Sequence, residues 1–246
     1  NCIDVLKTFP EKSIDMAITS PAYWGLRDYG VDGQLGLEPT FDLYIKHLCD
    51  IFEETKRVLK DTGTLWIVIG DSYYHNRTKD NEIQSINKNQ KSGHPINIEK
   101  QKGIKPKSLV GIPFRFAIEM INRGWVCRQT IIWHKNNVMP SSVKDRFTVD
   151  FEYLFFFSKQ GKYYFEQQKE ENGRNKRTVW NVNTKPFKEA HFAVFPEALI
   201  ETPILAGCPP KGIVLDMFMG SGTTATVALK NNRSYIGIEL NSEYIK

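Results

Sequence analysis

Apolar residues fall along this chain in short unbroken runs that alternate with longer stretches of helical spacing. Ile14 to Thr19 is one such run and ends in Ser20-Pro21, which predicts a buried strand entering a turn. From Phe41 to Leu59 the period changes, with Phe41, Tyr44, Ile45, Leu48, Ile51, Phe52, Thr55, Val58 and Leu59 at helical spacing and Asp61-Thr62-Gly63 expected to stop the helix. Leu65 to Ile69 reads as a second buried strand. Ile112 to Arg123 reads as a helix with Pro113 in its first turn and Gly124 behind its end. Val126 to Trp133 and Phe151 to Phe157 read as strands, the latter with almost no polar interruption. A helix over Pro196 to Ala206, a strand over Ile213 to Met217, a helix over Thr223 to Asn231 and a strand over Tyr235 to Ile238 follow. Strands alternating with helices predict an α/β domain with a largely parallel sheet, and no internal repeat is found.

Two of the predicted strands run into turns whose residues carry chemistry. Behind Ile213 to Met217 comes Phe218-Met219-Gly220-Ser221-Gly222-Thr223-Thr224, in which two glycines let the backbone turn and approach a ligand ahead of a helix N-terminus. The next strand ends in Glu239, a carboxylate able to accept hydrogen bonds from two ribose hydroxyls. Gly220-x-Gly222-x-x-Ala225 also fits a loose dinucleotide fingerprint, and two glycines can simply turn a chain. The second turn is Thr19-Ser20-Pro21-Ala22-Tyr23-Trp24. It can serve as a proline turn with aromatic lids on the core. It also holds a hydroxyl, a rigidly held carbonyl and an aromatic face, the parts needed to grip a flipped nucleobase by its exocyclic amine.

Composition narrows the class. The chain has 246 residues, is 41% hydrophobic and 12% aromatic, and carries a net charge of +5, which suits a globular domain and excludes a disordered one. Between Asn76 and Ser108 there are eight basic and three acidic residues, so this one aromatic-free segment accounts for a charge equal to that of the whole chain. It is expected to be a surface loop insertion over 76–108, either simply solvated or closing on a polyanion. Cys2, Cys49, Cys127 and Cys208 show neither metal-ligand nor disulfide spacing, so no metal and a reducing cytoplasmic setting are expected. No apolar run approaches the roughly 20 residues that cross a bilayer, and no leader opens the sequence, so no membrane association is expected. Because the first residue is Asn1 and Asn241 to Lys246 read as the start of a further helix, the chain is expected to be trimmed.

Taken together, the two turns resemble those of the amino-group DNA methyltransferases, with their (Ser/Asp/Asn)-Pro-Pro-(Tyr/Phe/Trp) catalytic motif and Phe-x-Gly-x-Gly cofactor loop. The catalytic turn comes first here, similar to the permuted beta-type order. The resemblance spans nearly the whole chain. Asn1 to Leu6 resembles the element that opens these domains and touches the cofactor's adenine, which brings in Cys2. Gly63 to Ser72, Lys144 to Thr148 with Phe151 to Tyr153, and His191 to Glu197 resemble further family segments. Ala22 and Met217 depart from it, each standing where the family usually has proline.

The resemblance implies a Rossmann-like fold over 1–246, a circularly permuted, mostly parallel seven-stranded sheet with helices on both faces. It implies S-adenosylmethionine as cofactor and double-stranded DNA with a flipped base as substrate. Ser20 and the Pro21 carbonyl would accept the two N–H bonds of the target amine, and Tyr23 would stack on the base. Asp216 would orient the cofactor's amino group and Glu239 would hold its ribose. Phe218, Gly220 and Gly222 would shape its pocket, with Ser221 and Thr223 at the helix N-terminus and Phe195 and Pro196 at the methionine end. Ser20 favours the 4-amino group of cytosine over the 6-amino group of adenine. Sequence reading would fall to 76–108, 134–146 and 169–188, the last with Arg174, Lys176, Arg177 and Trp180. A cognate restriction endonuclease is an expected functional partner, and the protein is expected as a monomer or homodimer. Competing readings are a DNA-binding module that keeps the fold with impaired catalysis because of Ala22, a dehydrogenase, and an RNA or protein methyltransferase. Methylation at cytosine carbon 5 is excluded in this resemblance, because it requires a Pro-Cys pair and only Cys208-Pro209 is present.

Overall fold

The computed structural model describes residues 1–74, 101, 103–184 and 195–244. Seven strands form one sheet: β1 (Ile14–Thr19), β2 (Leu59–Ile69), β3 (Val126–His134), β4 (Phe151–Ser158), β5 (Val179–Asn181), β6 (Ile213–Asp216) and β7 (Ser234–Gly237), in the order β5-β3-β4-β2-β1-β6-β7. The pairings β1 with β2, β1 with β6, β6 with β7 and β3 with β5 are parallel, whereas β4 runs antiparallel between β2 and β3. The mostly parallel α/β sheet expected from the sequence is thus present, with β4 as its reversed strand.

Alternating side chains divide the core into two layers. Leu65 and Ile67 of β2 and Phe155 and Phe157 of β4 face the layer that also holds Leu6, Phe52 and Phe116. These last three come from α1 (Cys2–Lys7), α2 (Phe41–Val58) and α3 (Ile112–Asn122). Trp66, Val68, Leu154 and Phe156 face the other, with Leu199, Ile204 and Val227 from α4 (Glu197–Gly207) and α5 (Thr223–Lys230). Helices therefore cover both faces, as period-2 burial on a doubly covered sheet requires. Trp66 and Phe156 stack with centroids 4.1 Å apart across the β2–β4 pair.

Most predicted elements are observed within a residue or two, and the exceptions have local causes. Helix α2 stops at Val58 rather than at Asp61-Thr62-Gly63, because Leu59 is already extended (ψ 138°) and pairs with Ile14, so β2 starts six residues earlier than expected. The segment Ser242–Tyr244 is a single 3₁₀ turn. The expected insertion 76–108 falls largely outside the described residues, as do 185–188 of the stretch 169–188 and 191–194 of the family segment before Glu197. No helix among the described residues is long and apolar enough to cross a membrane.

Candidate active site

The two chemical turns leave neighbouring parallel strands at the same edge of the sheet. Met16 pairs with Val214 and Ala17 with Leu215, so β1 and β6 deliver the turns that begin at Ser20 and Met217 to the same edge. This is the point where the chain winds off in opposite directions from β1, the place where open α/β sheets bind ligands. A cavity of about 940 Å³ opens there. Ser20, Pro21 and Tyr23 form one wall. Phe218, Gly220, Ser221 and Glu239 form another, and Cys2 and Phe195 close it.

The cofactor-type turn is held from below. Gly220 and Gly222 take φ of +54° and +86°, backbone that glycine adopts without strain. Gly222 is the N-cap of α5 and no side chain caps that helix, so Ser221 and Thr223 do not act as caps. Glu239 reaches into the turn and accepts from the Gly220 N–H at 2.7 Å and from the Asn241 N–H at 2.8 Å.

Asp216 lies beneath the cavity rather than on its wall. It is fully buried and accepts hydrogen bonds from the Thr19 hydroxyl (2.5 Å), the Thr224 hydroxyl (2.6 Å) and the Phe218 N–H (3.0 Å). Burial pushes its carboxyl up to about 6 against those three donors. Asp216 thus ties the end of β1 to the turn after β6. Gly222, Thr223 and Pro196 do not line the cavity: they are the N-cap of α5, a buried residue of its first turn and the N-cap of α4.

The catalytic-type turn is fixed by contacts that the sequence did not disclose. The Tyr44 hydroxyl, on α2, donates to the Ala22 carbonyl at 2.8 Å. The Tyr23 ring lies against Gly70 at the end of β2, where an added Cβ would come within 2.7 Å of Cε2. The Tyr23 hydroxyl donates to Glu152 Oε2 at 2.5 Å, and Glu152 Oε1 accepts from Lys135 Nζ at 2.5 Å. Burial, and then the Glu152 carboxylate, push the Tyr23 phenol well above its ordinary range, so it remains a donor. Trp133, Lys135 and Glu152 all border the cavity. The single charge inside the otherwise apolar run Phe151 to Phe157 was the available signal for Glu152.

All four cysteines are free thiols. Burial raises each of them, Cys49 and Cys208 to about 12, so none is poised as a nucleophilic thiolate. Among the described residues no cluster of His, Cys, Asp and Glu has the arrangement of a metal site. Arg174, Lys176 and Arg177 are exposed beside the edge strand β5, but Trp180 is buried in the sheet layer and donates to the Arg177 carbonyl. Arg146 lies over the Tyr73 ring at 3.8 Å.

Comparison with known proteins agrees with this geometry. The N6/N4 methyltransferase family model, described as DNA methylase, matches residues 14–246. The type II methyltransferase M.Cfr9I of Citrobacter freundii is 46% identical over 257 residues, covering 100% of this chain and 83% of that protein. M.SmaI of Serratia marcescens, also a type II methyltransferase, is 46% identical over 94% of this chain and 81% of its own. Among solved structures, the PvuII DNA methyltransferase (cytosine-N4-specific) superposes with a TM-score of 0.75 at 22% identity, covering 100% of this chain and 81% of that one. TTHA0409 of Thermus thermophilus, crystallised with S-adenosyl-L-methionine, gives 0.67 at 23% identity over 100% of this chain and 87% of its own. A seven-stranded methyltransferase sheet, two turns opening on one cavity and a family match across nearly the whole sequence lead to one conclusion: the chain belongs to the N6/N4 DNA methylase family of amino-group methyltransferases.

Proposed function

We propose that this protein transfers the methyl group of S-adenosylmethionine to the exocyclic 4-amino nitrogen of cytosine in double-stranded DNA, as the modification enzyme of a restriction-modification pair. The observation that carries the reading is the opening of the Ser20-Pro21-x-Tyr23 turn and the Phe218-to-Gly222 turn onto one cavity from adjacent parallel strands. The cofactor fits the residues present: Glu239 offers a carboxylate to a ribose diol, Gly220 and Ser221 bring backbone close, and Phe195 and Phe218 supply apolar wall. Glu239 keeps lone pairs for the diol because each of its oxygens accepts one backbone N–H. Asp216 acts here through the loop it ties rather than by contact.

An exocyclic amine is a poor nucleophile while its lone pair is delocalised into the base. Ser20 Oγ and the Pro21 carbonyl accept its two N–H bonds, which draws the nitrogen toward tetrahedral geometry and frees the lone pair. Tyr23 stacks on the extruded base, a contact worth about 1–3 kcal/mol. When bound, S-adenosylmethionine would supply a methyl group on a sulfonium sulfur: as the N–C bond forms the C–S bond breaks, the sulfur leaves as a neutral thioether, and the methylated nitrogen returns to neutrality by giving up one of its N–H protons to water. What the protein contributes is alignment of nitrogen, carbon and sulfur by the two turns, and positioning of this kind lowers a barrier by several kcal/mol, up to about 7–11. The preference for cytosine rests on the serine at position 20.

The test is to incubate the protein with unmethylated DNA and labelled S-adenosylmethionine, digest to nucleosides and identify the product by mass spectrometry. N4-methylcytosine is expected. N6-methyladenine would keep the mechanism and overturn the reading of Ser20. No methylated base with cofactor binding intact would move the assignment to a binding module impaired at Ala22.

A further inference from the structure

Glu152 is a carboxylate beside the target-base wall that the proposed chemistry leaves unused. It stands near the start of β4, opposite Trp133 of β3. Because β4 runs antiparallel, its beginning lies at the edge where β1, β2 and β3 end. Tyr23 comes to it from the turn after β1 and Lys135 from the residue just past β3. Each contributes one hydrogen bond of 2.5 Å to a different carboxylate oxygen. The Lys135 and Glu152 side chains are only 14% and 21% exposed, so the pair is shielded from bulk water. The Lys135 ammonium also sits 4.1 Å from the centroid of the Trp133 ring. A carboxylate in such a place needs a countercharge and donors to remain there, and Lys135 and Tyr23 supply them.

A tyrosine held only by packing can swing about two side-chain torsions. Tyr23 has backbone against part of its ring, at Gly70, and a charge-assisted hydrogen bond at its far end. The ring plane is therefore set before any base arrives. We propose that Glu152 is the positioning residue of the target-base pocket: it fixes the stacking plane of Tyr23 through the phenol hydroxyl, and Lys135 holds Glu152 in place. This rests on the reading of Tyr23 as the stacking face. A purely structural Glu152, joining β3 to β4 through Lys135 alone, would make no use of the Tyr23 hydroxyl.

A double-mutant cycle tests it. The full chain, E152Q, Y23F, the E152Q/Y23F double variant and Y23A are compared for single-turnover methyl transfer to unmethylated plasmid DNA and for S-adenosylmethionine affinity, with thermal melting as the check on folding. Expected is an about tenfold to hundredfold drop in rate for E152Q and for Y23F, the size of one hydrogen bond to a charged group. Cofactor affinity stays unchanged, and the double variant is no slower than either single one. Y23F at the wild-type rate, or losses that multiply in the double variant, overturns the proposal. If E152Q fails to fold, E152D, which keeps the charge but draws the carboxylate back from the phenol, takes its place in the cycle and is judged by the same criterion. Y23A separates the two layers of argument. Wild-type methylation by Y23A sinks the stacking reading itself, whereas an inactive Y23A beside a fully active Y23F sinks only the role of Glu152.

Discussion

A carboxylate without exposed surface is expensive to keep charged, and Asp216 shows how this chain offsets the cost. Three donors converge on it, yet burial still raises its carboxyl from 3.8 to about 6. The folded state therefore holds the Asp216 proton more tightly than the unfolded chain does. Its contribution to stability is greatest below pH about 4, declines as pH rises toward about 6, and is constant above that. A shift of this size corresponds to about 3 kcal/mol. Asp216→Asn keeps an oxygen for the Phe218 N–H and an amide for the Thr224 oxygen, but does not titrate. The stability of the wild type minus that of D216N should accordingly fall by about 2 kcal/mol between pH 4 and pH 6.5, followed by urea unfolding at a series of pH values. A difference that stays level across that range would mean that Asp216 is not the titrating group. Ser20→Ala bears on the chemistry instead: loss of one acceptor for the amine should slow methyl transfer about a hundredfold with cofactor affinity intact, read in single-turnover assays.

At the scale of elements, the Ser20-Pro21 turn is held by structure remote from it in sequence. Helix α2 grips it through Tyr44, whose fully buried ring sends a hydroxyl to the Ala22 carbonyl. Tyr44→Phe should cost about 1 kcal/mol of stability, measured by denaturant unfolding, and should slow methylation more than it weakens cofactor binding. Strand β2 backs Tyr23 with Gly70, so Gly70→Ala must push the ring away. The expected result is methylation lost and cofactor affinity kept, and equal loss of both would show that the cavity as a whole had collapsed. None of these braces was legible in the sequence, although the elements that carry them were. The strands declared themselves because both faces of the sheet are covered, which makes each a continuous apolar run, and α2 did so through its one apolar face. Strand β5 did not, since Val179–Asn181 is three residues long and only Trp180 is buried. Helix α1 buries only Leu6 and has no periodicity to read.

Across the whole molecule, the cofactor-type and catalytic turns were readable because each follows a buried strand and is punctuated by Gly or Pro. Their convergence was not, because it depends on β1 lying between β2 and β6. The same holds for Glu152 and Lys135, which only the antiparallel register of β4 brings to the wall. Charge is the remaining property that sequence states outright, and it is uneven: segment 76–108, most of which lies outside the described residues, carries eight basic residues against three acidic ones. If that segment meets DNA phosphates, each neutralised contact contributes about 0.9 to the slope of log affinity against log salt concentration. Replacing Arg77, Lys79, Lys88 and Lys91 by glutamine should then weaken duplex binding at every sequence alike and flatten the slope by as much as about 3.6, with S-adenosylmethionine affinity unchanged. Binding isotherms at several salt concentrations read this directly. An unaltered slope would leave the phosphate contacts to other basic groups, among them the exposed Lys144 and Arg146 between β3 and β4 and Arg174, Lys176 and Arg177 ahead of β5. The charge at those four positions would then serve solubility rather than recognition.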